Sequence, residues 1–80
     1  FDKIYLSIDL DVLDPAFAPG VGNPEAVGIT SRELYDLITV LQNKKILAAD
    51  IVELNPTYDN GSTASIAAKM ISTIIAMNLK

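Results

Sequence analysis

Apolar side chains fall into four runs along the chain, and the spacing within each run predicts its element. Residues 4–10 are nearly continuous in apolar side chains, the pattern of a strand covered on both faces. Residues 14–24 hold three prolines and two glycines, which excludes helix and central strand and predicts a loop. Thr30-Ser31-Arg32-Glu33 has the form of a capping box, and Leu34, Leu37, Ile38 and Leu41 then recur at helical spacing. A helix is therefore expected over residues 31–43. Residues 46–54 read as a second apolar strand ending in Glu53, stopped by Asn55-Pro56. Tyr58-Asp59-Asn60-Gly61 is turn chemistry. A last helix is expected to about residue 78, capped by Ser62 or Thr63, with Ile66, Met70, Ile71 and Ile74 on one stripe.

The order strand, loop, helix, strand, loop, helix predicts an α/β fold. A strand–helix–strand unit of this size is a right-handed parallel crossover. Ligands of open parallel sheets sit at the carboxyl ends of the strands. Asp9 and Asp11 stand at that end of the first strand and Glu53 at that end of the second. Strand alternation puts Asp9 and Asp11 on one face, with Ile8, Leu10 and Val12 on the other. Two carboxylates side by side near a core repel each other and resist desolvation, unless a cation sits between them. A divalent metal is the candidate.

Composition sharpens this picture. The chain has 80 residues, half of them hydrophobic and 20% charged, an interior-rich balance for so short a chain. It reads as a piece of a larger fold, or as a chain that covers its apolar faces by forming a homo-oligomer. The net charge of −4 argues against a nucleic-acid partner, which needs clustered Lys and Arg. It fits a site that attracts cations, although solubility is the plainer reading. With no cysteine there is no disulfide framework or thiol chemistry, and with no histidine the commonest general base and transition-metal ligand is missing. The last apolar helix carries Ser, Thr and Lys, so no membrane span is expected. A chain opening on Phe1 without a charged leader carries the expectation of a cytoplasmic protein.

Several chemistries use Asp-x-Asp. A calcium loop of the EF-hand type needs oxygen ligands at alternate positions and Gly at the sixth, whereas Leu13 and Asp14 stand at the fifth and sixth. A chitinase-like Asp-x-Asp-x-Glu fails because Leu13 replaces the acid. A haloacid-dehalogenase-like phosphatase, with Asp9 as nucleophile and magnesium nearby, remains the alternative, though its pattern wants Thr or Val at Leu13.

The stretch Ser7-Ile8-Asp9-Leu10-Asp11-Val12-Leu13-Asp14-Pro15-Ala16-Phe17-Ala18-Pro19-Gly20, with Gly22 and Pro24 after it, closely resembles the ureohydrolase signature. That is the family of arginase, agmatinase and formimidoylglutamase. Asp50-Ile51-Val52-Glu53-Leu54-Asn55-Pro56 resembles a second block of the same family. The resemblance implies a fragment of the three-layer, parallel-sheet arginase-like fold. It also implies a binuclear manganese (Mn2+) hydrolase that cleaves a C–N bond of a guanidino or formimino substrate, releasing urea or formamide. By resemblance Asp9 bridges the two Mn2+ ions, Asp11 ligates one of them, and Glu53 pairs with the guanidinium of a small substrate. Asp14, before Pro15, is expected to fix the turn rather than bind metal.

Asn23 departs from the family's usual Thr, whose hydroxyl lies close to substrate, and the segment Glu25-Ala26-Val27-Gly28 lacks the common Pro-Gly-Gly run. An agmatinase-like enzyme is favoured over an arginase. The family's upstream Gly-Gly-Asp-His and Asp-Ala-His-x-Asp stretches are absent, and no histidine replaces them. Residues 1–80 are thus expected to be the C-terminal portion of a single ureohydrolase domain, lacking the upstream metal-binding part and inactive alone. The remaining alternative is a non-catalytic α/β module that self-associates through its sheet edges.

Overall fold

The computed structural model describes residues 3–79. Strand β1 spans Lys3–Asp9 and runs into a 3-10 turn, Leu10–Val12. Helix α1 spans Ser31–Thr39 and tightens into a 3-10 turn, Val40–Asn43. Strand β2 spans Lys45–Val52, a short turn covers Pro56–Tyr58, and helix α2 spans Ser62–Asn78. The strands pair in parallel, with Ser7 opposite Asp50, Ile8 opposite Ile51 and Asp9 opposite Val52. The expected α/β element order is present.

Ile4, Leu6 and Ile8 of β1 and Ile46 of β2 face the helices, where they meet Leu34 and Ile38 of α1 and Met70 and Ile74 of α2. The opposite sheet face carries Tyr5, Ser7 and Asp9, all exposed. The side chain of Asn78 closes the sheet's lower end: its amide nitrogen donates to the Ile46 carbonyl at 2.7 Å, and its oxygen accepts from Ile46 N–H at 3.2 Å. Two apolar residues expected on buried stripes lie outward instead, Leu37 at 60% exposure and Ile71 at 48%.

Helix starts follow from local chemistry. The Thr30 hydroxyl accepts from Glu33 N–H at 3.0 Å and Glu33 Oε1 accepts from Thr30 N–H at 2.9 Å, so the expected capping box forms. At α2 neither Ser62 nor Thr63 is the cap. Asp59 takes that part, accepting from the N–H groups of Thr63 and Ala64 at 3.0 Å each, and Asn60 accepts from Ser62 N–H. Gly61 precedes the helix at φ +101°, a conformation that glycine adopts without penalty. Thr63 is left fully buried and free for another task.

The end of β1 also differs from strand alternation. The strand stops at Asp9 because the Asp9 carboxylate accepts from Asp11 N–H at 2.9 Å and turns the chain into a 3-10 geometry. Leu10 and Leu13 then both drop into the core, fully buried, while Val12 is 44% exposed. Asp11 therefore lies on a turn and not on the strand, so Asp9 and Asp11 do not owe their proximity to a shared strand face.

Candidate functional site

The loop after β1 is held at three places, and these fixings position the acidic residues. At its start, Asp14 Oδ1 accepts from Ala16 N–H at 2.9 Å and Oδ2 accepts from Gly28 N–H at 3.3 Å. Both oxygens of Asp14 thus serve the turn. At its middle, Gly20 N–H donates to the buried Thr63 hydroxyl at 2.8 Å, and the Gly20 carbonyl accepts from Asn55 N–H at 2.7 Å. At its end, Val21 bridges Leu54 in antiparallel fashion and Gly22 N–H donates to the Glu53 carbonyl at 3.2 Å. The loop is laid across the carboxyl ends of both strands.

This arrangement brings the predicted site residues into one continuous chain of contacts. Asp9 stands at the last register pair of the sheet, opposite Val52, next to Glu53 in sequence. Its Oδ1 accepts from Asp11 N–H, and Asp11 Oδ1 in turn accepts from Asn23 N–H at 3.4 Å. Asn23 adjoins Gly22, and the Glu53 carboxylate lies so close over Gly22 that a β-carbon there would sit 2.8 Å from Glu53 Oε1. Asn23 reaches Asp11 through its backbone, leaving its exposed side chain at the rim. Glu53 itself has φ +72°, a left-handed conformation that costs a non-glycine residue about 1–3 kcal/mol and is tolerated where surroundings fix it. That strained turn swings its carboxylate out of the strand line toward the loop.

Asp9 and Asp11 each commit one oxygen to a backbone amide, and among the described residues the second oxygen of each accepts no hydrogen bond. Carboxylate oxygens are hard donors suited to a divalent ion such as Mn2+. Among the described residues no group of three or more His, Cys, Asp or Glu side chains could hold an ion. With one free oxygen each, the two carboxylates could offer two oxygen ligands, fewer than a divalent ion requires, so the described residues do not complete a metal site by themselves.

Two features of the site were missed in sequence. Gly22 is one, visible only once Glu53 folds back over it. The other is Asp50, which accepts from the Ser7 hydroxyl at 2.6 Å and from the Tyr5 hydroxyl, tying β1 to β2 two register pairs below Asp9. The parallel register, with Ser7 opposite Asp50, is the signal that could have found it.

Comparison with known proteins places this geometry. The sequence profile of the Arginase family matches residues 1–77. The agmatinase of Bacillus cereus is 51% identical over 67 residues, which is 81% of this chain and 23% of that protein. Among solved structures, the agmatine ureohydrolase of Thermoplasma volcanium superposes with a TM-score of 0.86 at 43% identity, covering 96% of this chain and 26% of that one. The proclavaminate amidino hydrolase of Streptomyces clavuligerus superposes with a TM-score of 0.90 at 36% identity, covering 95% and 26%. The chain spans 16% to 24% of the length of the agmatinase relatives it matches, so it corresponds to about a fifth of such a protein. No described helix is long and apolar enough to cross a membrane.

Proposed function

This chain belongs to the Arginase family, and on that premise we propose that it supplies the carboxylate half of a guanidino-hydrolase centre. The complete protein hydrolyses a C–N bond of a small guanidino compound and releases urea. Asp9 and Asp11 are the ligands this segment offers to a binuclear manganese site. When bound, the metal pair supplies a water deprotonated at neutral pH. Glu53 receives the planar guanidinium through paired charge-assisted hydrogen bonds and so orients the carbon to be attacked. Asn23 stands beside that position with both a donor and an acceptor, and shapes the selection of the substrate's remainder.

The observation that carries this reading is the convergence of Asp9, Asp11, Asn23 and Glu53 through one run of contacts at the carboxyl ends of two parallel strands. Agmatine is the first substrate to try, because relatives in Bacillus cereus and Thermoplasma volcanium carry that activity in their names. The 80 residues alone, with two metal ligands, are inactive.

Elemental analysis and urea release from agmatine and arginine test the reading on the complete protein. Asp9→Asn and Asp11→Asn should each lower manganese content, and urea release should fall by about a hundredfold or more, beyond the loss typical of residues that only support a metal ligand. Full manganese content in the Asp9→Asn/Asp11→Asn double variant would sink the assignment.

A further inference from the structure

A glycine is kept either because the backbone takes a conformation that other residues avoid or because something approaches too closely for a side chain. Among the glycines described, a left-handed φ occurs at Gly61 and not at Gly22. Close approach is what remains at Gly22, and the approaching atom is the end of a side chain. A β-carbon at Gly22 would lie 2.8 Å from Glu53 Oε1 and 3.8 Å from Glu53 Cδ, with nothing else near it. The other two close glycines are different. At Gly28 the obstructing atoms are the backbone of Leu13, Asp14 and Val12, and at Gly20 the nearest is Asp59 Cβ at 2.3 Å.

We propose that Gly22 is a positioning residue for guanidinium binding: its bare Cα is the seat on which the Glu53 carboxylate rests. This rests on the reading of Glu53 as the substrate's anchor, and it adds the element that sets where that anchor stands. One backbone conformation and two contacts build the seat. The strained backbone at Glu53 directs the side chain back toward the loop. The Gly22 N–H holds the Glu53 carbonyl at 3.2 Å, and the neighbouring Val21–Leu54 bridge keeps the two segments in register. The carboxylate then settles over the only face of Gly22 that a methyl group would occupy. A methyl there moves the flexible end of Glu53 and leaves the backbone alone. The fold barely registers it, while a bidentate pair with a planar cation depends on placement to a fraction of an ångström.

The test is a double-mutant cycle in the complete protein: Gly22→Ala, Glu53→Gln and both together, with agmatine as the probe. Manganese content and melting midpoint are measured beside kinetics. Gly22→Ala should raise KM about tenfold or more, with metal content and melting midpoint unchanged. In the Glu53→Gln background the same change should add little, because the anchor is already lost. A KM unmoved by Gly22→Ala, while Glu53→Gln raises it, overturns the seat and leaves the anchor standing. A KM unmoved by Glu53→Gln overturns the anchor, and the seat with it. Equal effects of Gly22→Ala in both backgrounds, or a clear drop in melting midpoint, show that the glycine serves something other than Glu53.

Discussion

Thr63 gives the sharpest test of how the loop is held, because packing and hydrogen bonding predict opposite orders for two substitutions. Its side chain is fully buried, and its hydroxyl accepts from Gly20 N–H at 2.8 Å while also bonding to the Asp59 carboxylate. Thr63→Val keeps the shape and removes the acceptor. The Gly20 N–H is then buried without a partner, at a cost of about 1–3 kcal/mol. Thr63→Ser keeps the hydroxyl and loses one methyl, which costs about 0.8 kcal/mol in transfer energy, with a small addition for the cavity. Valine should therefore be the more damaging of the two. Urea unfolding of the complete protein measures the global effect, and amide hydrogen exchange over residues 18–23 measures the local one. A loss of about 2 kcal/mol speeds local opening roughly 30-fold. If serine destabilises more than valine, the loop is held by packing and not by the Gly20–Thr63 hydrogen bond.

Two further outcomes follow from the same region. Gly28→Ala should destabilise the complete protein by about 1–3 kcal/mol or more by thermal melting, because a β-carbon would sit 2.5 Å from Asp14 N and the obstructing atoms are backbone. A variant that melts at the wild-type midpoint refutes it. The Asp59 carboxyl is raised by burial, but hydrogen bonds from Ala64 N–H, Thr63 N–H, the Thr63 hydroxyl and Asn60 N–H outweigh that and hold it below its ordinary value of 3.8. A group with a depressed folded pKa contributes stability that is fully present above its unfolded value and is lost as pH falls through the folded one. Stability should therefore decline with acidification below about pH 4, and Asp59→Asn should flatten that part of the melting-midpoint profile. An unchanged slope in Asp59→Asn removes Asp59 from the acid response.

How much of this was legible in sequence depended on whether the deciding interaction was local. The capping box at Thr30 and Glu33 joins residues three apart, and the helix begins where it predicts. The two apolar runs became strands with the parallel register that a helical crossover imposes. The paired aspartates were legible as a pair but not in their geometry. Alternation along a strand assumes that every residue stays in the sheet, whereas Asp9 bonds its own backbone two residues on and ends the strand there. Asx chemistry beside a loop rich in Pro and Gly is a signal that period counting overlooks.

The cap of α2 escaped for a related reason. Thr63 has the composition of a cap, yet its hydroxyl is spent on Gly20, a residue 43 positions away, and Asp59 caps in its place. Glu53 was the least legible. Nothing in a glutamate after an apolar strand announces a left-handed φ, because the conformation is imposed by the loop that pairs with it through Val21 and Gly22. Local preference and global fold thus agree over the strands and helices and conflict where Glu53 meets Gly22. Conflicts of this kind concentrate at functional positions, where a strained residue is kept for what it points at. Glu53→Gly relieves that strain and removes the carboxylate together, so it should melt at or above the wild-type midpoint while failing at substrate binding, and a midpoint well below wild type would refute the strain.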